Sequence, residues 1–143
     1  MSSLEFVTQS PEETIAVARS LARQLPAGPV LLIGNLGAGK TTFVKGVAAE
    51  LLGLPEEEVS SPTFALIHEY GEPVRLYHLD LYRLESAEEV LGIGIEEMMD
   101  RPWPMLVEWG ERFPELWPRE TPAIRIERCG EERRRIQVEG ISQ

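Results

Sequence analysis

Pro29-Val-Leu-Leu-Ile33 runs directly into Gly34-Asn-Leu-Gly-Ala-Gly-Lys-Thr41, an apolar stretch followed by a full match to G-x-x-x-x-G-K-[ST]. The apolar run reads as a buried strand. The segment after it, Thr41 to Leu52, reads as a helix with Phe43, Val44, Val47, Ala48, Leu51 and Leu52 as apolar positions and with Gly53 and Pro55 as its stop. Strand, glycine loop and helix in that order form a P-loop, in which backbone N–H groups and the helix N-terminus face a di- or triphosphate. Lys40 supplies a point charge to the β/γ oxygens and the Thr41 hydroxyl can ligate Mg²⁺. The expected nucleotide contacts are Gly34, Asn35, Leu36, Gly37, Ala38, Gly39, Lys40, Thr41 and Thr42.

Working outward, Leu4 to Val7 is a strand candidate, and Ser10-Pro11-Glu12-Glu13 is a capping box opening a helix to about Leu25, with Ile15, Ala18, Ala22 and Leu25 as its stripe. Beyond the P-loop helix, Ser60 to Thr63 is a polar loop, and Phe64 to Tyr70 with Val74 to Leu79 reads as a hairpin around Gly71-Glu72-Pro73. A second capping box at Ser86 starts a short helix, interrupted at Gly92 and Gly94 before Glu96 to Asp100. Pro104 to Val107 is a further buried strand, and Ala123 to Glu127 with Arg134 to Val138 closes the chain as a hairpin turning near Gly130. Units of the βαβ type demand parallel strands and hairpins demand antiparallel ones. The expected fold is therefore a three-layer α/β P-loop NTPase-like fold with a mixed, partly antiparallel sheet, built by residues 1–143 as one domain.

Hydrolysis needs more than a P-loop: a carboxylate on the metal side and a group that orients water. Glu108 ends the strand Pro104 to Val107 in the manner of a Walker B acid, and Asp80 ends the strand before it. Glu108 is favoured as the metal-side acid and Asp80 as the group ordering water or the γ-phosphate, with the reverse assignment open. Thr63 stands where a loop could sense the γ-phosphate through its hydroxyl. His68 and His78 lack metal-ligand spacing and read as structural, and Trp109 as a packing residue that could also stack near the nucleotide.

The formal charge is −10, and residues 51–120 hold sixteen Asp/Glu against five Lys/Arg. Such a surface repels a phosphate backbone, which argues against stand-alone binding of tRNA or DNA. Arg133-Arg134-Arg135 reads as a solvated cluster guarding an edge hairpin, with contact to one phosphate or to a partner as the alternative. A lone Cys129 can make no internal disulfide, and there is neither an apolar run near 18 residues nor a secretory leader pattern, so the cytoplasm is expected and no membrane contact.

Gly34 to Phe43, Ser61-Pro-Thr-Phe64, Tyr77-His-Leu-Asp-Leu-Tyr-Arg-Leu84 and Leu106-Val-Glu-Trp109 together resemble the bacterial TsaE (YjeE) family over nearly the whole chain. The resemblance implies a slow, Mg-dependent ATPase of tRNA threonylcarbamoyladenosine biosynthesis, working with the TsaB and TsaD proteins to support repeated threonylcarbamoyl transfer, with tRNA met only through that complex. It carries over Lys40, Thr41, Asp80 and Glu108 as functional residues, Thr41 and Glu108 on Mg²⁺, and implies nucleotide contacts from the segment at Pro11 and from a hairpin arginine taken as Arg133. The family usually has Asp where this chain has Asn35, which keeps an acceptor but loses the charge. Against the ATPase stand a small-molecule P-loop kinase, for which no substrate domain or lid is evident, and a GTP switch, for which no N-K-x-D sequence occurs.

Overall fold

Residues 3–141 are described by a computed structural model. Strand β1 (Ser3–Thr8) leads through the Ser10 cap, whose hydroxyl accepts from the Glu13 N–H, into helix α1 (Pro11–Ala22). Then come β2 (Gly28–Ile33) and helix α2 (Lys40–Leu52), which starts at Gly39 and ends at a left-handed Gly53. Strands β3 (Ile67–Tyr70) and β4 (Leu76–Asp80) form the expected hairpin. Short helices α3 (Ala87–Gly92) and α4 (Ile95–Met99), strand β5 (Pro104–Glu108) and the hairpin β6 (Ala123–Arg128) with β7 (Arg134–Glu139) complete the chain.

The sheet order is β1-β7-β6-β2-β5-β4-β3. Strands β4, β5, β2 and β6 run parallel, whereas β7, β1 and β3 are antiparallel to their neighbours. Because side chains alternate across a strand, each central strand feeds two cores. Val30, Leu32, Leu106, Ile124 and Ile126 face α1 and α2, while Leu79, Met105 and Val107 face Val90, Ile95 and Met98 on the α3–α4 side. That is a three-layer α/β arrangement with a mixed sheet.

Helices α1 and α2 touch at the backbone. A Cβ on Gly46 would lie 2.5 Å from the Ile15 carbonyl oxygen and 2.6 Å from the Ala18 Cβ. Arg19 of α1 and Arg23, the residue that caps it, both bond the Glu50 carboxylate of α2, at 3.3 and 3.1 Å, and these hydrogen bonds, Arg23 first, hold the Glu50 carboxyl below its ordinary value.

Three sequence expectations need correction. Helix α1 stops at Ala22 rather than Leu25, and its buried face is Thr14, Ala18, Leu21 and Ala22, with Ile15 only half-buried. Phe64 lies outside the strand and is 83% exposed, because Leu66 takes a left-handed φ of 71° that no strand can include. The arginine cluster does not guard a sheet edge, since β1 covers β7 and Arg135 pairs with Glu5 across that seam.

Candidate functional site

Parallel pairing decides where the acids meet the P-loop. Glu108 is the register partner of both Leu32 in β2 and Asp80 in β4, so Ile33, Glu108 and Asp80 all reach the same carboxyl edge of the sheet. Glu108 shares the face of Leu106, and Asp80 that of Leu76, which is the side on which α2 begins. A cleft at this edge of about 370 Å³ is lined by Leu36, Gly37, Gly39, Lys40, Thr41, Thr42, Ser61, Thr63, Asp80, Glu108 and Arg134.

The loop itself depends on close approach. Gly37 and Gly39 have φ of 78° and 107°, conformations that suit glycine. Gly34 is excluded from bearing a side chain for another reason: a Cβ there would lie 2.5 Å from the Ile126 carbonyl oxygen of β6. Gly34, Asn35 and Ala38 line an adjoining hollow of about 410 Å³ on the β6 side, next to Arg125, Arg128 and Gln137. That hollow is slightly larger than the cleft and is lined by neither Asp80 nor Glu108.

Lys40, only 6% exposed, is the most informative group in it. Its Nζ lies 3.5 Å from Glu108 Oε1 and 4.3 Å from the centre of the Trp109 ring, yet makes no hydrogen bond. Ionic proximity therefore leaves all the donor directions of a buried ammonium unused, a cost that a phosphate oxygen would remove. Trp109 holds this position with a left-handed φ of 65° and rests against Tyr82 at 5.1 Å between ring centres. Trp109 therefore packs against Tyr82 and stands beside the Lys40 ammonium.

Asp80, 3% exposed, is fixed at both oxygens. Oδ1 accepts from the Tyr82 backbone N–H at 2.9 Å and Oδ2 from the Thr63 hydroxyl at 3.0 Å, while Ser61 and Thr63 share a hydroxyl–hydroxyl bond of 2.8 Å. The Ser60 to Thr63 loop is tied back to the hairpin by His68, whose Nδ1 lies 3.1 Å from the Ser60 carbonyl oxygen. Burial raises the Tyr70 hydroxyl beside it above its ordinary value, partly offset by the Ser60 backbone N–H that donates to it.

Thr41 and Glu108 both open on the cleft, so a hydroxyl and a carboxylate, the hard oxygen donors that Mg²⁺ takes, are brought together there. Pro11 lines a small recess of about 50 Å³ with Thr14, Gly39, Thr42, Glu132 and Arg134. Arg134, not Arg133, is the hairpin arginine at the loop: its guanidinium donates to the Ala38 carbonyl at 2.8 Å and the Gly37 carbonyl at 3.4 Å, whereas Arg133 is exposed in the turn. His78, which reads as structural from the sequence, also reaches this group of residues. It is fully buried, and its Nε2 lies 2.5 Å from Glu108 Oε2. Its place two residues before Asp80 on one strand was the available signal, since such residues share a face. Among the described residues no group of three or more His, Cys, Asp or Glu could by itself hold a metal ion, and no helix is long and apolar enough to cross a membrane.

Residues 8–136 match a family model described as threonylcarbamoyl adenosine biosynthesis protein TsaE. The chain is 44% identical over 138 residues to a Bacillus subtilis protein named tRNA threonylcarbamoyladenosine biosynthesis protein TsaE, covering 95% of this chain and 85% of that one. A Treponema pallidum protein of the same name is 39% identical over 137 residues, 94% of this chain and 99% of its own length. Among solved structures, Bacillus subtilis YdiB superposes with a TM-score of 0.75 at 35% identity, over 99% of this chain and 87% of YdiB.

Proposed function

The chain belongs to the TsaE family of tRNA threonylcarbamoyladenosine biosynthesis, and from that premise we propose that it is a slow, Mg-dependent ATPase acting with the TsaB and TsaD proteins. In this reading it is a single ATPase domain of the cytoplasm that supports repeated threonylcarbamoyl transfer to the tRNA adenosine beside the anticodon.

The observation that carries the nucleotide assignment is Lys40 Nζ, buried and without a hydrogen-bond partner at the mouth of a loop in which Gly37 and Gly39 take left-handed backbone conformations. Lys40 and the loop N–H groups bind the β- and γ-phosphates, and Thr41 and Glu108 hold Mg²⁺. When bound, the ion neutralises charge that develops on the phosphate oxygens. Asp80, held by Thr63 and Tyr82, orients the water that forms the new bond to the γ-phosphorus as the bond to the β-bridging oxygen breaks. Thr63 thereby couples the Ser60 to Thr63 loop to the cleft, and bound ATP strengthens partner assembly by favouring one arrangement of that loop. The acidic middle of the chain keeps tRNA contact indirect.

Light scattering after size exclusion, on this protein mixed with TsaB and TsaD in ATP, ADP or no nucleotide, tests the proposal alongside a tRNA gel shift. A complex strongest with ATP is expected. Tight tRNA binding by the isolated chain at physiological salt, with no nucleotide-dependent protein complex, would overturn it.

A further inference from the structure

We propose that His78 is the positioning residue of Glu108, donating from Nε2 to Oε2 so that Oε1 alone is presented to the cleft and to Mg²⁺. The proposal rests on the Mg-ATP reading of the site.

His78 sits in β4 on the face it shares with Asp80, opposite Leu106 in the register, and is fully buried. Its Nε2 is 2.5 Å from Glu108 Oε2, while Lys40 Nζ lies on the other oxygen at 3.5 Å. An ionised carboxylate only accepts, so the contact requires the proton on Nε2. The other nitrogen agrees with this assignment. Nδ1 is buried with no hydrogen-bond partner, and a bare lone pair costs less there than an unpaired N–H.

The consequence is geometric. Glu108 is 4% exposed at the end of its strand, and without a partner on Oε2 its carboxylate could turn both oxygens toward the Lys40 ammonium. Holding Oε2 back in the sheet gives one oxygen to the ammonium and the metal and keeps the other occupied. Outer partners of metal-ligating carboxylates act in this way, and their loss lowers metal affinity by about 10- to 100-fold.

Calorimetric titration of ATP at a series of magnesium concentrations on the full chain tests this, comparing wild type with His78→Leu and His78→Gln. Leu fills the volume without a donor, whereas Gln returns an N–H donor at about the reach of Nε2. In His78→Leu the magnesium needed for half-maximal strengthening of ATP binding should rise about 10-fold or more, while affinity in chelator stays within about twofold, and His78→Gln should recover most of the loss. Equal impairment of both variants would reduce His78 to packing and overturn the proposal, as would a folded His78→Leu with wild-type magnesium dependence. A wild-type chain whose ATP binding ignores Mg²⁺ would instead overturn the metal role of Glu108, and this proposal with it, a distinguishable result. Should His78→Leu fail to fold, nitrogen NMR of the labelled wild-type imidazole, assigned with His68→Gln, decides the matter. A proton on Nε2 is expected, and a bare Nε2 overturns the proposal.

Discussion

Gly34→Ala adds one methyl group at the point where the P-loop crosses β6, and its effect can be worked from the contact it makes. The new Cβ would stand 2.5 Å from the Ile126 carbonyl oxygen, about 0.9 Å inside the 3.4 Å at which ordinary contact begins, and 3.1 Å from the Ala38 Cβ. The obstacle is backbone in a central part of the sheet, and Ile126 is itself 2% exposed, so neither side yields by a side-chain rotation. Overpacking of this kind costs about 1–3 kcal/mol of fold stability. If the loop moves instead, a displacement near one ångström shifts the loop N–H groups that would meet the phosphates, and each hydrogen bond to a charged oxygen lost in this way weakens binding by about 1.5–3 kcal/mol. Gly92→Ala is the control, because nothing lies within 4 Å of its added Cβ and its φ is not in the left-handed range. It should be neutral or stabilising by up to about 1 kcal/mol. Urea melts and calorimetric titration with Mg-ATP on both variants measure the two quantities. A Gly34→Ala protein as stable as wild type and with undiminished ATP affinity would refute the claim that close packing on β6 shapes the loop.

Lys40→Ala should leave the fold intact and weaken ATP binding by about 1–3 kcal/mol, the worth of a charge-assisted hydrogen bond, read by calorimetry. Glu108→Ala should make nucleotide affinity less dependent on Mg²⁺, whereas Asp80→Ala should mainly lower turnover; affinity measured against magnesium concentration for both would show exchanged phenotypes if the two roles are reversed. Gly46→Ala reverses the usual sign for a helix interior: propensity favours Ala by about 1 kcal/mol, but the contact with Ile15 and Ala18 should make the variant less stable in urea, and a gain in stability would show that α1 can move away from α2.

What the sequence made legible was whatever is encoded within a few residues. The strand, loop and helix around Gly34 to Thr41, the caps at Ser10 and Ser86, and the turn before Arg134 are local chemistry, and the elements appear where that chemistry places them. Phe64 was misplaced for the converse reason, since only the tertiary fold requires the positive φ at Leu66 that delays β3. Arg134 and Arg133 look alike in a run of three arginines. Only the register of β7 on β6, which pairs Arg134 with Arg128, brings the former beside Ala38.

The site illustrates how much depends on register. Glu108 lies 28 positions after Asp80, so no short motif joins it to the His78–Asp80 pair. They come together because β4 and β5 are parallel with Asp80 opposite Glu108, and because His78 stands one pleat back on the same face. A slip of β5 by one residue would turn Glu108 away from α2 and present Val107 in its place. The two apolar faces of β5 prevent that slip, since Leu106 belongs to one core and Met105 and Val107 to the other. Packing on both sides of a central strand thus fixes the position of a carboxylate at its end, and the P-loop helix, packed on one of those cores through Phe43, Val44 and Val47, carries Lys40 to within 3.5 Å of it.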